Sequence, residues 1–574
     1  MLRACPSLRM WRRSVSDSMF GVHPTFIGEV RVTPELLRIA RLPRRTSPPA
    51  GYEGLTASLR SSTGTMELRP IQAQALAELH LCRGLLGPIR VGAGKTLVSF
   101  LAPLMVGSKR PLLLVPAKLR DKTKRDFAEL WKHWDQPLII TVLSYELLGR
   151  EQASKLMDEV HPDLIIADEA HKLANHHAAV TRRVGRYMEE RPDTVFVALS
   201  GTLTKRRLRD FVHLAEWALG DQAPIPLEYK DLEAWGYALD EETKNPLRYR
   251  SGALSQLCGP EDGSFVGLNK IRHAFHRRLV ETPGVVATDE TAIDASIVIA
   301  SWFSDWKPAK SILDGFKQLR EDWETPEGMY LTSPVEVWRH ARELALGFYY
   351  RWEPEPPQEW LEARRIWAAF VRNKLGHSGS LDSPAQVSRQ FSDTVEYLQW
   401  ERVKNDYEPT TVPIWLDDEV LCGAAAWVQA EGGIAWIEHQ AVGAKLESLG
   451  VPYYGRMGVR LGEPIEEARG GIAASIAANR EGRNLQHYSQ NLVLSSPTTG
   501  SAWEQMIGRT HRDGQKADEV SFEVFVGCRE LLRGLWQAVS DAQYQKGIVG
   551  SCQKLLEATI TVPRPGQEKQ HEYL

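Results

Sequence analysis

Lys95 and Thr96 close the run Arg90-Val91-Gly92-Ala93-Gly94-Lys95-Thr96, and an apolar stretch follows at once. Gly92 and Gly94 on either side of Ala93 let successive backbone N–H groups turn inward around phosphate oxygens. A lysine at the end of such a loop reaches the β- and γ-phosphates. The threonine beside it offers a hydroxyl to Mg2+, and the helix that opens there adds its positive end. The same residues also suit a tight strand-to-helix turn with no ligand. Ile89 stands where the full phosphate-loop pattern carries a glycine.

About seventy residues later, Leu164-Ile165-Ile166-Ala167 runs into Asp168-Glu169-Ala170-His171. A phosphate-loop ATPase needs a Mg2+-holding Asp and a water-activating Glu at the end of an apolar strand. Adjacent acids after a strand are common, so the weight here comes from their order and distance from Lys95. Ser200-Gly201-Thr202 follows the next apolar run, where a polar turn can sense the γ-phosphate. Upstream, Gln72 in Leu68-Arg69-Pro70-Ile71-Gln72 can read an adenine edge through its amide; it can equally be a surface glutamine at a helix start.

Far along the chain, Trp503 to Gln515 is dense in Gly, Arg, His and Gln, a poor composition for a solvated helix face. On one helix, Arg509 and Arg512 are three apart and share a side. From there two guanidiniums can clamp a γ-phosphate across a cleft, as arginine fingers do. Just before them, Gly482 and Asn484 in Asn479 to Leu485 suit backbone contact to nucleotide or nucleic acid.

These groups need a scaffold that brings strand ends together. From Leu68, short apolar runs alternate with helical stretches, the pattern of an α/β fold with a parallel sheet and crossover helices. Strands are expected at Pro111 to Val115, Leu138 to Val142, Leu164 to Ala167 and Val195 to Leu199, all rich in Leu, Ile and Val. From about Leu208 to Ala430 the pattern is mostly helical, and eleven of the 18 tryptophans lie between Trp302 and Trp436. Trp360, Ala363, Trp367, Phe370 and Val371 recur at helical spacing, which fits a Trp-filled helical core and, as the alternative, a base-stacking surface. The α/β alternation returns at Gly433 to Ile437 and continues through Asn491 to Leu494.

A chain of 574 residues is several domains long. Its hydrophobic share of 43% and charged share of 25% are those of a soluble globular protein. A formal net charge of −3 excludes wholesale coating of a polyanion, so contact with nucleic acid must come from local basic surface. Lys118, Arg120 and Lys122, with Lys124 and Arg125, form one such cluster, and Lys205, Arg206, Arg207 and Arg209 form another; either can also be an ordinary solvated face. The six cysteines include no CxxC pair, which argues against a cysteine zinc site or a disulfide framework and fits a reducing cytosol. No apolar run is long enough for a transmembrane helix. Met1 to Met19, rich in Arg and Ser, fits an overextended start with Met10 or Met19 as initiator, or an organelle transit peptide.

Taken in order, these segments resemble the Swi/Snf-like translocases of helicase superfamily two. "LRPIQ" at Leu68 is similar to the adenine motif, "GAGKT" to motif I, "DEAH" to motif II, "SGT" at Ser200 to motif III, "EGRNL" at Glu481 to motif V and "EQMIGRTHRDGQ" to motif VI. DEAH-box RNA helicases share the DEAH letters but carry a Gly-Arg-Ala-Gly-Arg type motif VI, whereas His511 and Arg512-Asp513-Gly514-Gln515 look like the Swi/Snf type. "RRLVETPGVV", ending at Val286, is similar to the close of that family's first lobe. The resemblance covers about Leu68 to Gln515 with a diverged middle, and "LALGFYYRW" at Leu344 looks like compact phage and prophage members.

The resemblance implies two RecA-like phosphate-loop NTPase lobes, parallel sheets with flanking helices, and a helical insertion between them. The expected layout is an arm over 1–61, a first lobe over 62–300 with a helical protrusion after 204, a Trp-rich insertion over 301–431, a second lobe over 432–550 and a tail over 551–574. It further implies ATP and Mg2+ as cofactors, held by Gln72, Gly92, Ala93, Gly94, Lys95, Thr96, Asp168 and Gly482, with Thr96 and Asp168 on the metal. Glu169, Lys95, Arg509 and Arg512 are the expected catalytic set. Duplex DNA is the expected partner, through Lys118, Arg120, Lys122 and Asn484, in the cytoplasm of a bacterial or phage-infected cell. The alternatives are an RNA helicase and a non-hydrolysing nucleic-acid-binding scaffold.

Overall fold

The computed structural model of the protein describes residues 25–45, 52–135, 138–153, 155–204, 207–240, 247–287, 295–303, 306–327, 331, 334–377, 384–408, 410–550 and 552–566. The Arg/Ser-rich start with Met10 and Met19, and Lys205 and Arg206 of the second basic cluster, lie outside the described residues.

The protein is mixed α/β, built on two parallel sheets flanked by helices. The first runs in the order Leu85–Gly87, Val195–Leu199, Leu164–Asp168, Pro111–Val115, Thr141–Ser144. Its central strands are continuous apolar runs because both faces are covered. Side chains alternate between the two sides: Leu112, Leu114, Ile165 and Ala167 join one core, and Leu113, Val115, Leu164 and Ile166 join the other. The strand expected at Leu138 to Val142 is instead Thr141–Ser144, a half-exposed strand at the edge of the sheet, and Ile139, 83% exposed, lies before it.

The second sheet has seven strands among the described residues. Their order is Tyr453–Tyr454, Ile472–Ser475, Ile434–Ile437, Gln490–Val493, Glu519–Phe525, Ser296–Trp302, Thr559–Ile560, all parallel. Again the two faces feed separate cores, Ala435 and Ile437 into one and Ile434 and Trp436 into the other.

Three of the expected boundaries shift. The limit at 300 falls inside Ser296–Trp302, whose seven residues pair one-to-one with Glu519–Phe525. The second unit therefore starts near 296, a pairing across more than two hundred residues that no local pattern reveals. Most of 301–431 is not a separate insertion. Helices Lys310–Glu321, Pro334–Ala345 and Glu419–Glu431 bury Ile312, Leu344 and Leu421 in the same core as the sheet residues Ala435 and Leu492. Beyond the antiparallel stem Phe348–Trp352 with Thr411–Trp415, helix Gln358–His377 packs on Val395–Val403 around the buried rings of Trp360 and Trp367. That agrees with the aromatic-core reading of this spacing. The segment expected as a tail supplies helix Lys554–Glu557 and the strand Thr559–Ile560.

The arm expected before 62 is structured as well. Thr25–Glu29 pairs in parallel with Leu247–Arg250, and helix Pro34–Arg41 buries Leu36 and Ile39 in the first core. Thr33 caps that helix, its Oγ1 accepting from the Leu36 N–H at 3.3 Å, with Pro34 in the first turn where no N–H is needed.

Helix Arg529–Val549 ties the two units together. Its first half buries Leu531, Leu532 and Leu535 in the second unit, and its far end buries Tyr544, Ile548 and Val549 in the first. Among the described residues no helix is long and apolar enough to cross a membrane. The five described cysteines are free.

Candidate functional site

Parallel strands deliver their following turns to one end of a sheet, and loops gathered there make a crevice. In the first unit the turn Arg90–Gly94 precedes helix Lys95–Val106. Gly92 and Gly94 have φ of +91° and +80°, the left-handed region that a side chain disfavours. A Cβ at Gly94 would also lie 2.0 Å from Gln72 Nε2. Ile89, at the departure from the glycine pattern, is buried in the first unit's core and leaves this turn in place. Lys95 is buried, and its Nζ donates to the Ile89 and Arg90 carbonyls at 3.3 Å each. Those are neutral acceptors, so the ammonium has no ion pair among the described residues.

Asp168 ends its strand, and Glu169 follows with φ +58°, an uncommon conformation for a side-chain-bearing residue. Tyr145 Oη donates to the Asp168 carbonyl at 2.7 Å. Burial and the adjacent Glu169 push the Asp168 carboxyl up to about 6. Burial acts on Glu169 the same way, but the charge of Lys95, with His171 and Arg509, holds it down to about 2. Glu169 is therefore the more readily ionised of the pair, and a divalent cation at Asp168 would favour the ionised form there too. His171 Nδ1 lies 3.3 Å from Glu169 Oε2, 3.1 Å from Ser200 Oγ and 3.3 Å from Thr202 Oγ1. One ring thus joins the acidic motif to the Ser-Gly-Thr turn.

The second unit closes the crevice. Helix Gly500–Thr510 carries Arg509 in its last turn, but His511 already leaves helical geometry, so Arg512 stands beyond the helix end. The expected shared helix face is replaced by a shared acceptor: Nη1 of Arg509 and of Arg512 donate to the Arg483 carbonyl at 3.2 and 3.0 Å. Arg512 also donates to Asn484 Oδ1. Burial, then the charge of Arg512, lowers Arg509 to about 10. Gly482, at φ +75°, comes so close to Leu119 that a Cβ would lie 2.2 Å from Leu119 Cδ2.

Gly92, Ala93, Gly94, Lys95, Thr96, Asp168, Glu169, Gly482, Arg509 and Arg512 line one cavity of about 460 Å³. A second space of about 400 Å³ shares Arg69, Gly94, Thr96 and Asp126 with it and is lined by Gln72 as well. Gln72 itself is committed to backbone. Its Oε1 accepts from the Arg69 N–H at 2.9 Å, and its Nε2 donates to the Ala93 and Gly94 carbonyls at 3.2 and 3.3 Å. It props the loop instead of presenting a free amide to a base.

The expected nucleic-acid residues divide. Lys122 lines the cavity and donates to the Gly482 carbonyl at 3.1 Å, while Lys118 reaches across to the Ala477 carbonyl. Both hold the two units together. Arg120, Lys124 and Arg125 are exposed, as is Asn484. Lys172 meets Glu481 at 3.3 Å and Arg69 meets Asp513 at 2.5 Å, further bridges between the units.

The sequence reading named Arg90 and His511 without giving them a site role and missed Asp126 and Lys554; all four line the cavity, and Glu557, also missed, stands behind Arg90. Arg90 forms a two-pronged bridge to Glu557, 2.7 Å on each arm. Lys554-Leu-Leu-Glu557 carries no local sign of such a role, since Lys and Glu three apart suit any solvated helix.

The donors fit a magnesium-bound polyphosphate. Lys95 is a buried cation with neutral partners, and the glycine turn Arg90–Gly94 precedes it. Among the described residues no group of three His, Cys, Asp or Glu gathers to hold a metal. Mg2+ is commonly held by one or two carboxylates together with substrate phosphates and needs no all-protein cage; here Asp168 would offer the carboxylate and Thr96 a hydroxyl beside it. No protein-family model matches the chain.

Proposed function

We propose that this protein is an ATP-hydrolysing nucleic-acid motor whose two units are RecA-like lobes, most closely a duplex-DNA translocase of the Swi/Snf-like kind. The observation that carries the reading is the single cavity lined by the phosphate loop and Asp168-Glu169 from one sheet and by Arg509 and Arg512 from the other. The loop and Lys95 hold the phosphates; Thr96 and Asp168 would hold Mg2+, which when bound would supply positive charge against the phosphates. Glu169, the ionised carboxylate, orients water and accepts its proton. Arg509 and Arg512 come to the phosphates from the facing lobe, so hydrolysis is coupled to how tightly the lobes meet.

A DNA track rests on the motif VI resemblance and on the exposed cations Arg120, Lys124 and Arg125. Phosphate contacts of this kind read no bases and need no strand opening. The test is phosphate release from ATP with no nucleic acid, duplex DNA, single-stranded DNA or RNA, beside triplex displacement and strand separation. Turnover stimulated most by duplex DNA and abolished in Lys95→Ala is the expected result. Preference for RNA with strong unwinding would replace the translocase with a helicase, and turnover unaffected by Lys95→Ala would remove the site.

A further inference from the structure

Lys554 is a buried cation with no ion pair among the described residues. It is 3% exposed, and its Nζ donates to His511 Nδ1 at 3.1 Å. Nε2 of that ring donates to the Ala295 carbonyl at 2.7 Å, which leaves the lone pair on Nδ1 and the imidazole neutral. Burial, then the charge of Lys554, lowers the His511 pKa in keeping with that state. Three carboxylates act on it by charge without pairing with it: Glu504 Oε2 accepts the Lys554 backbone N–H at 2.6 Å, Glu557 is held by Arg90, and Asp513 is held by Arg69. Among the described residues no carboxylate forms an ion pair with the Lys554 ammonium.

A desolvated ammonium whose hydrogen-bond partner is a neutral ring is costly, and an anion brought into contact with it relieves that cost. Lys554 lines the cavity with the phosphate loop, Arg509 and Arg512. Its stem passes where the two units touch: a Cβ at Gly508 would lie 3.1 Å from Val91 Cγ1 of the loop and 3.9 Å from Lys554 Cε. The segment is fixed on both sides. Leu555 is buried in the second unit's core and Thr559–Ile560 joins its sheet, while Glu557 grips Arg90 at the head of the loop.

We propose that Lys554 binds the terminal phosphate of the nucleoside triphosphate, a third cation supplied by the second unit beside Arg509 and Arg512; this rests on the ATPase reading above. The terminal phosphate is the anion that separates a triphosphate from a diphosphate. Lys554 thereby sets the preference of the site for the unhydrolysed nucleotide.

The experiment is a titration of full-length wild type, Lys554→Ala, Lys554→Met and Lys554→Arg with a non-hydrolysable ATP analogue, with ADP and with tripolyphosphate, all with Mg2+. Loss of one charge-assisted contact predicts about tenfold weaker analogue and tripolyphosphate binding in the Ala and Met variants, with ADP affinity nearly unchanged and partial rescue by Arg. Retained ADP binding reports a folded site. Equal losses for ADP and the analogue, or no loss for either, would overturn the proposal. A wild type that binds tripolyphosphate yet does not hydrolyse ATP counts against the ATPase reading alone, and the Lys554 variants still decide this one.

Discussion

Asp240 sits where the two units meet, and its charge makes that junction sensitive to pH. Tyr544, at the far end of helix Arg529–Val549, donates its hydroxyl to Oδ1 at 2.7 Å, and the Leu208 N–H donates to the same oxygen at 3.0 Å. Burial pushes the carboxyl from its ordinary 3.8 up to about 7, against the pull of those two hydrogen bonds; Asp210 adds to the rise and Arg207 opposes it. In the unfolded chain the group ionises near its ordinary value. Between the two values the folded protein therefore holds a proton that the unfolded chain has lost. Stability falls as pH rises through this window, and the cost is complete above about 7. At roughly 1.4 kcal/mol per tenfold change in proton affinity, a gap of about three pH units bounds the effect at ~4 kcal/mol. Asp240→Asn carries no charge, offers an amide oxygen to both donors, and places an NH2 where the protonated acid has its O–H. Urea midpoints followed by tryptophan fluorescence at pH 4, 6 and 8 test this. The variant should match wild type at pH 4 and exceed it increasingly toward pH 8. Parallel midpoints across the series would refute the reasoning.

Three further outcomes follow from the site. Glu169→Gln keeps the shape but cannot accept a proton, so it should bind Mg-ATP like wild type and release no phosphate; normal turnover would assign the base elsewhere. Arg512→Ala should bind nucleotide nearly normally and turn over about a thousandfold more slowly, the range of arginine fingers, so a loss seen in affinity alone would make Arg512 a ground-state contact. Stimulation by duplex DNA should fall steeply between low and moderate salt, because phosphate contacts release counterions, and a salt-insensitive response would exclude a backbone grip through Arg120, Lys124 and Arg125.

The sequence was most legible where burial is simplest. Pro111–Val115 and Val195–Leu199 were expected with the bounds they have, since a strand covered on both faces is an unbroken apolar run between polar turns. Asp168 and Glu169 were legible because they close a buried strand, and Lys95 and Thr96 because they open a helix after a glycine turn. Arg509 and Arg512 were placed in the right crevice for a partly wrong reason: the helix stops at Thr510, and the Arg483 carbonyl draws both side chains together. What stayed hidden was long-range. Lys118 and Lys122 read as a basic face, but whether a lysine meets solvent or a carbonyl across a cleft depends on a partner more than three hundred residues away. Lys554 and Glu557 gave no signal for the same reason.

The place of Ser296–Trp302 in its sheet also bears on how the protein comes off the ribosome. Its neighbours are Glu519–Phe525 on one side and Thr559–Ile560 on the other, both translated long afterwards. The strands of the first sheet, by contrast, all emerge between Leu85 and Leu199. At typical elongation rates of about 5–20 residues per second, the run Ser296–Trp302 waits roughly ten to forty seconds for Glu519–Phe525. During that interval Ile297, Ile299 and Trp302, all buried at the finished interface, have no sheet to join. The nascent chain thus passes through a stage in which a completed first sheet trails an unpaired apolar strand, the stage at which a chaperone would find its binding site.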